Sequence, residues 1–408
     1  MKRNIHLVFT GGGTAGHLFP GLAVAERLVA EIRRLRITFA GSGKEFERRL
    51  VAAAGFEYYA LPCRPLPRRA RETVSFVLEN VAGYLAAKRF LKDAQVAGVV
   101  GLGGYASVPM GRAAVKCRVP LVLLEQNVLP GRATRWLAPA AAVVCTSFAQ
   151  TGDELHQRAV VRVTGNPIRR IGEAVAEPGV AAPSRPCQLL VLGGSSGARS
   201  LNENVPRALY KAAAAENCPN FRPSPPRETQ KIGLSPFPLA PGTSEPAGWR
   251  ILHQTGDADL AATRELYRKL DIDATVSSFV ADMPAALLGS DLAICRAGGT
   301  TLAELAAAAV PCVLLPYPHA ADDHQNKNAQ VFAAAGGAVL LDERTVSGRL
   351  DDQLAEAVGR LVGDADRLAA MSAAMRTLAR PHAAADVAAL VWSVVSSQAR
   401  HPRLPVAA

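Results

Sequence analysis

This 408-residue sequence is poor in aromatic residues and lacks a long apolar run. Aromatics make up 5% of the chain, and no helix-turn-helix, zinc-finger or RNA-recognition signature accompanies the basic residues, so we expect no nucleic-acid partner. No apolar run reaches the roughly 18 residues that a membrane span requires. The first residues, MKRNIHLVF, lead directly into a strand pattern, and we therefore expect no signal peptide.

The sequence also lacks closely spaced cysteines and has fewer acidic than basic residues. The seven cysteines are scattered without metal-ligand spacing, which favours a reduced, cytoplasmic protein. Thirty-five acidic residues against 46 Lys and Arg leave a net charge of +11. That balance favours an anionic partner such as a phosphate ester or an acidic lipid surface.

The most informative stretch is residues 5–21, IHLVFTGGGTAGHLFPG. An apolar run stops at Thr10, three glycines follow, and apolar residues then recur at helical spacing from Leu22. Strand, glycine turn and helix in this order aim free backbone N–H groups at an anion. His17 places an imidazole at the mouth of the turn, which indicates chemistry as well as binding.

Three interpretations of this stretch compete. Gly11-x-Gly13-x-x-Gly16 fits the dinucleotide fingerprint, but an acidic residue at the end of the second strand, predicted at 36–40, is missing, since Glu45 lies past the turn. A structural turn with a packed histidine is the second, although three adjacent glycines exceed what a turn needs. The third is a phosphate-type cradle for a substrate, which we take forward.

The chain is too long for one ordinary core, and strand and helix patterns alternate throughout. A second strand–glycine–helix unit begins at Gln188, where QLLVL runs into GGSSGARS. Two such units predict an α/β protein with two doubly wound, Rossmann-like domains facing each other across a cleft. We place these domains at 1–165 and 166–380, with a proline-rich, mobile insertion at 217–248 and a final helix at 381–408 crossing back to the first domain.

Candidate ligand-binding groups cluster in the second half. Thr301-x-x-Glu304 alone is explained by a capping box. With Gly298 and Gly299 before it, the same stretch can bring a diphosphate to a helix N-terminus, and Glu304 suits the hydroxyls of a ribose.

Amide side chains offer a second set of candidates. Residues 322–325, DDHQ, are either a polar first helical turn or ligands of sugar hydroxyls, and Asn127 is a similar candidate in the first half. Three Asp-x-Asp triplets, starting at residues 257, 271 and 364, occur in unrelated contexts. We therefore assign no metal, because helix dipoles and arginine can neutralise a leaving diphosphate.

Residues 64–92 mix basic and apolar side chains. A solvated helix face is the commoner explanation for such a mixture. Here the two kinds cluster together, which also suits docking on an anionic bilayer at roughly 1 kcal/mol per basic residue.

Taken together, these stretches resemble the bacterial lipid II synthases, peptidoglycan glycosyltransferases that move N-acetylglucosamine from UDP onto lipid I. The matching pieces follow the family's order: GGGTAGHLFPGLAVAERL, GLGGYASVP, VPLVLLEQN, VTGNPIR, VLGGSSGARSLN, HQTG, FVADM, CRAGGTTLAEL and HQNKNA. The resemblance implies a GT-B fold with the acceptor site in the first domain and the UDP-sugar site in the second. It also implies a peripheral position on the cytoplasmic face of the inner membrane, reached through the basic-apolar segment and GLGGYAS.

The resemblance also assigns site residues. Thr14, Ala15 and Gly16 approach the donor sugar and the acceptor diphosphate, and Asn127 binds the N-acetylglucosamine. The other implied contacts are Arg169 and Ser195 to the donor, the backbone of Val280 to uracil, Gly299, Thr300, Thr301, Leu302, Ala303 and Glu304 to the diphosphate and ribose, and Gln325 to the sugar hydroxyls.

The chain departs from the family pattern at three places. Ala15 stands where a glycine is usual, which restricts the backbone there. Residues 296–299, RAGG, vary the donor loop slightly, and the insertion has no recognised counterpart.

For the chemistry we expect an inverting, single-displacement transfer that needs neither a metal nor a cofactor. The muramyl 4-hydroxyl attacks the sugar's C1, and His17 is the first choice for the base because its reference pKa of roughly 6.5 suits neutral pH. Glu125 is the second choice. The alternatives are another GT-B enzyme using a UDP-sugar, either a glycolipid glycosyltransferase or a UDP-N-acetylglucosamine 2-epimerase, and a nicotinamide oxidoreductase.

Overall fold

The computed structural model describes residues 5–67, 69–168, 187–194, 197–214 and 249–400. Arg169, Ser195 and the predicted insertion at 217–248 lie outside these ranges.

The first half of the described chain forms a parallel sheet of seven strands in the order β3-β2-β1-β4-β5-β6-β7. The strands are β1 (Ile5–Thr10), β2 (Leu35–Gly41), β3 (Glu57–Ala60), β4 (Gly98–Gly101), β5 (Leu121–Glu125), β6 (Val143–Thr146) and β7 (Val161–Val163). The helices that cover it are α1 (Ala15–Glu31), α2 (Glu45–Ala53), α3 (Thr73–Asp93), α4 (Ser107–Cys117) and α5 (Arg132–Leu137), with short 3-10 turns at Ala70–Glu72, Ala138–Ala140 and Ala149–Gly152.

The second half forms a parallel sheet of six described strands in the order β10-β9-β8-β11-β12-β13. They are β8 (Gln188–Leu192), β9 (Arg250–Gln254), β10 (Thr275–Ser277), β11 (Leu292–Cys295), β12 (Cys312–Leu314) and β13 (Ala338–Leu340). The helices are α6 (Arg199–Ala214), α7 (Leu260–Lys269), α8 (Met283–Leu288), α9 (Gly299–Ala307), α10 (His324–Ala334), α11 (Leu350–Val362), α12 (Ala365–Leu378) and α13 (Ala383–Arg400), with a 3-10 turn at Ala321–Asp323 before α10.

Each sheet is buried on both faces, as helix-covered parallel sheets require. In β1, Leu7 and Phe9 face one apolar core while Val8 faces another. In β8, Leu189 and Leu190 likewise point to opposite cores. The doubly wound α/β prediction is confirmed for both halves.

The last helix packs on the first sheet's core rather than the second's. Val387, Ala388, Val391 and Val395 of α13 are buried in the same cluster as Leu7. A contact with α1 accompanies this packing, so the end of the described chain joins the two halves. Among the described helices, none is both long and apolar enough to cross a membrane.

One predicted boundary is wrong. The helix after the first glycine turn begins at Ala15, not after Gly21, so His17 and Pro20 belong to the helix and not to the turn. Pro20 lies in the second turn of α1, where it has no N–H to donate to the carbonyl four residues before it. Here that carbonyl belongs to Gly16, which becomes important in the cleft.

Candidate active site

A cleft of about 2030 Å³ lies between the carboxyl ends of the two sheets. Loops after β1, β4 and β5 line one side, and loops after β8, β11 and β12 line the other. Most of the predicted site residues meet there: Thr14, Ala15, Gly16, His17, Asn127, Val280, Gly299, Thr300, Thr301, Glu304 and Gln325.

Three predicted residues lie elsewhere. Glu125 and Leu302 are buried, with exposures of 4% and 0%, and neither lines the cleft. Ala303 borders a separate small cavity beside Gly165. Leu302 and Ala303 can therefore serve the site only through the backbone of α9.

His17 stands on the first turn of α1, held between two glycine loops. Its Nδ1 is 3.1 Å from the hydroxyl of Thr14. Gly103 and Gly104, both with positive φ, back the ring, and a Cβ on Gly103 would lie 3.1 Å from His17 Cδ2. Burial lowers the pKa of His17, a hydrogen bond to the Gly12 carbonyl opposes that shift, and nearby His324 adds to it. The neutral imidazole is therefore favoured at neutral pH, as a base requires.

Glu125 accepts hydrogen bonds from the loop that follows it, residues 126–131. Its carboxylate accepts a hydrogen bond from the backbone N–H of Gly131 at 3.0 Å. It also accepts hydrogen bonds from Asn127, from the backbone N–H at 3.1 Å and from the side-chain amide at 3.3 Å. Burial raises the pKa of Glu125, against these bonds and one from Thr134. The geometry indicates a group that shapes the 126–131 loop and presents Asn127 to the cleft.

Asn127 is also tied to the opposite domain. The Asn328 side-chain amide donates to Asn127 Oδ1 at 2.9 Å, and Asn328 Oδ1 accepts the Val128 N–H at 2.9 Å. Asn328 is fully buried and also donates to the carbonyl of Ala297. Sequence reasoning did not single out Asn328, although the HQNKNA motif contains it.

The donor loop approaches the first domain closely. Gly299 has no room for a side chain, since a Cβ there would lie 2.1 Å from the carbonyl oxygen of Gln126. The Thr300 hydroxyl donates at 2.9 Å to the Gly16 carbonyl, the one that Pro20 leaves without its helical partner. Thr300 of α9 thus supplies the hydrogen-bond donor that Pro20 cannot offer to the Gly16 carbonyl within α1.

The capping-box interpretation of Thr301 and Glu304 is wrong. Helix α9 starts at Gly299 with Gly298 as its N-cap, so Thr301 lies inside the first turn. The amides at this helix start, together with Glu304, which is 7% exposed, line the cleft. The first residue of α1, Ala15, is likewise helical and not at positive φ, so its departure from glycine strains no backbone.

Gln325 and Arg296 complete the second domain's side. Gln325 Oε1 accepts the N–H of Tyr317 at 2.9 Å, which orients the side chain and keeps its NH₂ group for other partners. Arg296 lies over the Tyr317 ring and pairs with Glu343 at 2.5 Å. Within the part of the chain that the structure describes, no group of three or more His, Cys, Asp or Glu is arranged to hold a metal ion.

Comparisons with known proteins match both halves. Residues 7–146 match the glycosyltransferase family 28 N-terminal domain, and residues 188–387 match the glycosyltransferase family 28 C-terminal domain. A Pseudomonas fluorescens protein is 36% identical over 94% of this chain and 96% of its own length. That protein is named UDP-N-acetylglucosamine–N-acetylmuramyl-(pentapeptide) pyrophosphoryl-undecaprenol N-acetylglucosamine transferase.

Solved structures agree. Acinetobacter baumannii MurG is 27% identical, with a TM-score of 0.70 over 95% of this chain and 99% of that one. A putative UDP-N-acetylglucosamine 2-epimerase from Listeria monocytogenes, 13% identical with a TM-score of 0.64 over 97% of both chains, shares the fold. The GT-B fold class and the resemblance drawn from the motifs are confirmed.

Proposed function

The chain belongs to glycosyltransferase family 28, and from that premise we propose how its cleft carries out the transfer for which its relatives are named. It moves N-acetylglucosamine from UDP-N-acetylglucosamine to the 4-hydroxyl of the muramyl residue of lipid I, which forms lipid II for peptidoglycan. The observation that carries this proposal is the meeting of two helix N-termini in one cleft, with His17 on α1 and Glu304 on α9.

The donor occupies the second domain in this proposal. Backbone amides at the start of α9 face the diphosphate, where the helix dipole favours negative charge. Glu304 accepts the ribose hydroxyls, and the buried Val280 presents its backbone to uracil. Asn127 and the NH₂ group of Gln325 bind the sugar. Arg169 and Ser195, which the structure does not describe, keep their proposed donor contacts.

The acceptor reaches the sugar from the first domain. Thr14, Ala15 and Gly16 lie at the start of α1, where amides can bind the acceptor diphosphate or the sugar. His17 removes the proton from the attacking hydroxyl while UDP leaves from the opposite face of the sugar, so the linkage inverts to β-1,4. Because Glu125 points into its own loop, it supports Asn127 instead of acting as the base.

The protein binds the acceptor at an anionic membrane surface, on the cytoplasmic face of the inner membrane. Helix α3 exposes Val74, Leu78, Val81 and Leu85 along one stripe, with exposures of 50% or more. Basic residues precede and follow that stripe along the chain: Arg64, Arg69, Arg71, Lys88, Arg89 and Lys92. A mixed basic and apolar face of this kind docks on acidic lipid, and no nucleic acid is needed to explain the net charge.

The test is a transfer assay with radiolabelled UDP-N-acetylglucosamine and a short-chain lipid I analogue, in EDTA. We expect label in the lipid product, none without the analogue, and no loss of rate on adding the chelator. Label that stays in a nucleotide sugar and is epimerised without any acceptor would instead identify a UDP-sugar epimerase. Full dependence on an added divalent ion would overturn the metal-free mechanism.

A further inference from the structure

A buried carboxylate lies directly beneath the first glycine loop. Glu47 of α2 is fully buried and does not line the cleft. It accepts the Gly13 N–H at 2.8 Å, the Ser42 N–H and hydroxyl at 2.9 Å each, and the Tyr58 hydroxyl at 2.6 Å. Four donors converge on one carboxylate, which is how a buried acceptor-only group is satisfied.

The glycines around Glu47 are shaped to admit it. A Cβ on Gly12 would lie 2.4 Å from Glu47 Oε1, and one on Gly41 would lie 2.7 Å from Oε2. The carboxylate thus occupies the amide of Gly13, which a phosphate would bind in a dinucleotide site. Part of the glycine pattern in GGGTAG therefore accommodates an internal anion, and the Gly13 amide is not available to a ligand.

The bond to Gly13 also orients a second group. The N–H of Gly13 and the carbonyl of Gly12 belong to one planar peptide, so they point in opposite directions. The carbonyl faces Gly104 and His17: a Cβ on Gly104 would lie 2.4 Å from Gly12 O and 3.5 Å from His17 Nδ1. By fixing the orientation of this peptide, the Glu47 carboxylate therefore places the Gly12 carbonyl oxygen beside the His17 imidazole.

We propose that Glu47 is a positioning residue for the sugar transfer, acting through the Gly12–Gly13 peptide. The Thr14 hydroxyl lies 3.1 Å from Nδ1 of His17, and we assign the hydrogen bond with the Gly12 carbonyl to the same nitrogen, so that Nε2 accepts the proton. A carboxylate orients a catalytic histidine in serine proteases by direct contact, whereas here one peptide group lies between them. The inference rests on the proposed function, because it takes His17 as the base.

The test variant is Glu47→Gln, which keeps the volume but replaces one acceptor oxygen by an NH₂ group among four donors. We expect kcat to fall by about 10- to 100-fold, with KM for UDP-N-acetylglucosamine changed less than about twofold. The acid limb of the kcat–pH profile should move to lower pH, because the carbonyl that favours the imidazolium is no longer aligned. The other groups facing His17, namely Thr14, Gly103, Gly104 and His324 of α10, are unchanged in this variant.

The matched control is Asp351→Asn. Asp351 is also a buried carboxylate, 2% exposed, but it pairs with Lys211 and Arg349 away from the cleft. This variant should lower the melting temperature yet keep the wild-type kcat and acid limb. Should Glu47→Gln not fold, Tyr58→Phe removes one donor and keeps the carboxylate, and it should show a smaller fall in kcat at unchanged KM.

Different outcomes contradict the proposed function and the role of Glu47. A wild-type protein that transfers no sugar to lipid I contradicts the proposed function. The role of Glu47 alone is overturned by a different result: the wild type is active, His17→Ala is inactive, and Glu47→Gln folds with the wild-type kcat and the wild-type acid limb of the pH profile. Wild-type kcat in Tyr58→Phe, when Glu47→Gln does not fold, overturns it as well.

Discussion

At the scale of single residues, what surrounds each ionisable group separates its role from that of its neighbour. His17 lies on the cleft and is bordered by the Gly12 carbonyl, the Thr14 hydroxyl and two glycines that leave it space. Glu125 ends β5 at the same edge of the first sheet, yet its oxygens bind the loop that it precedes. Residue type alone ranked both as bases, and the hydrogen bonds distinguish them.

Removing the imidazole should therefore abolish most of the chemistry. His17→Ala is expected to lower kcat by about 10²–10⁴-fold, the usual contribution of a general base, with little change in KM for UDP-N-acetylglucosamine. Because burial lowers the pKa of His17, wild-type kcat should hold down to a pH below the ordinary histidine range and fall once the ring is protonated. Steady-state kinetics measured from about pH 4.5 to about pH 9, in steps of about half a pH unit, test both effects. Near-full turnover in His17→Ala with turnover lost in Glu125→Ala would reverse the assignment.

At the scale of elements, a proline in α1 and a threonine in α9 form a matched pair. Pro20 has no N–H for the Gly16 carbonyl, and Thr300 supplies the missing donor from the other domain. Asn166, in the connection between the domains, donates in turn to the Thr300 hydroxyl at 3.3 Å. The two helix N-termini that face the substrates are thereby held against each other.

Loss of that contact should weaken the closed cleft. Thr300→Val keeps the shape but removes the hydroxyl and both of its hydrogen bonds, at about 0.5–1.5 kcal/mol each, so KM for UDP-N-acetylglucosamine should rise roughly 5- to 150-fold. Thr300→Ser keeps the donor and should behave as wild type. Equal KM values for the valine and serine variants would show that the bond contributes nothing to closure.

Helix α3 exposes large apolar side chains, which we assign to membrane docking. Replacing Leu78 and Leu85 by serine removes two side chains that are 65% and 57% exposed. We expect the variant to bind anionic vesicles less well in sedimentation while it retains its melting temperature, because the fold does not bury these groups. The control replaces Val160 and Val163, which are comparably exposed on the far edge of the same sheet, and should leave vesicle binding unchanged. An equal loss of binding in both variants would contradict docking through α3.

At the scale of the whole molecule, the two domains depend on buried polar networks as well as on apolar cores. His253 of β9 is fully buried, between the Tyr267 hydroxyl at 3.0 Å and Asn202 Oδ1 at 3.1 Å. Burial lowers the pKa of His253 from 6.5 to about 3. The folded protein therefore keeps this ring neutral over a pH range in which the unfolded chain protonates it.

Stability should fall with acidification as a result. Below pH 6.5 the unfolded state binds a proton that the folded state refuses, so the contribution of His253 to stability is complete above that value and is lost progressively towards pH 3. Between pH 7 and pH 5 this amounts to about 2 kcal/mol, and the lowered pKa values of His6 and His17 act in the same direction. Urea denaturation at both pH values measures the difference, which should shrink in His253→Gln. A free energy of unfolding that does not change between pH 7 and pH 5 would contradict the buried neutral ring.

Local patterns in the chain were enough to predict much of the architecture. The strands predicted at 36–40 and from Gln188 both form, as Leu35–Gly41 and Gln188–Leu192, because apolar periodicity and the residues that end it act over a few neighbours. The glycine turns, spaced along an alternating pattern, likewise indicated the two-domain fold, and the ordered motifs indicated the family. These signals are all contained within short stretches of sequence.

The working details of the cleft depend on contacts that no short stretch contains. Thr300 meets Gly16, and Asn328 meets Val128, across the gap between domains. The start of α1 and the internal anion Glu47 depend equally on neighbours supplied by other elements. A buried hydrogen-bonding group takes whichever partner the packed chain brings within 3 Å or so. Periodicity therefore predicted where the strands end, and long-range packing determined what each polar group at those ends does.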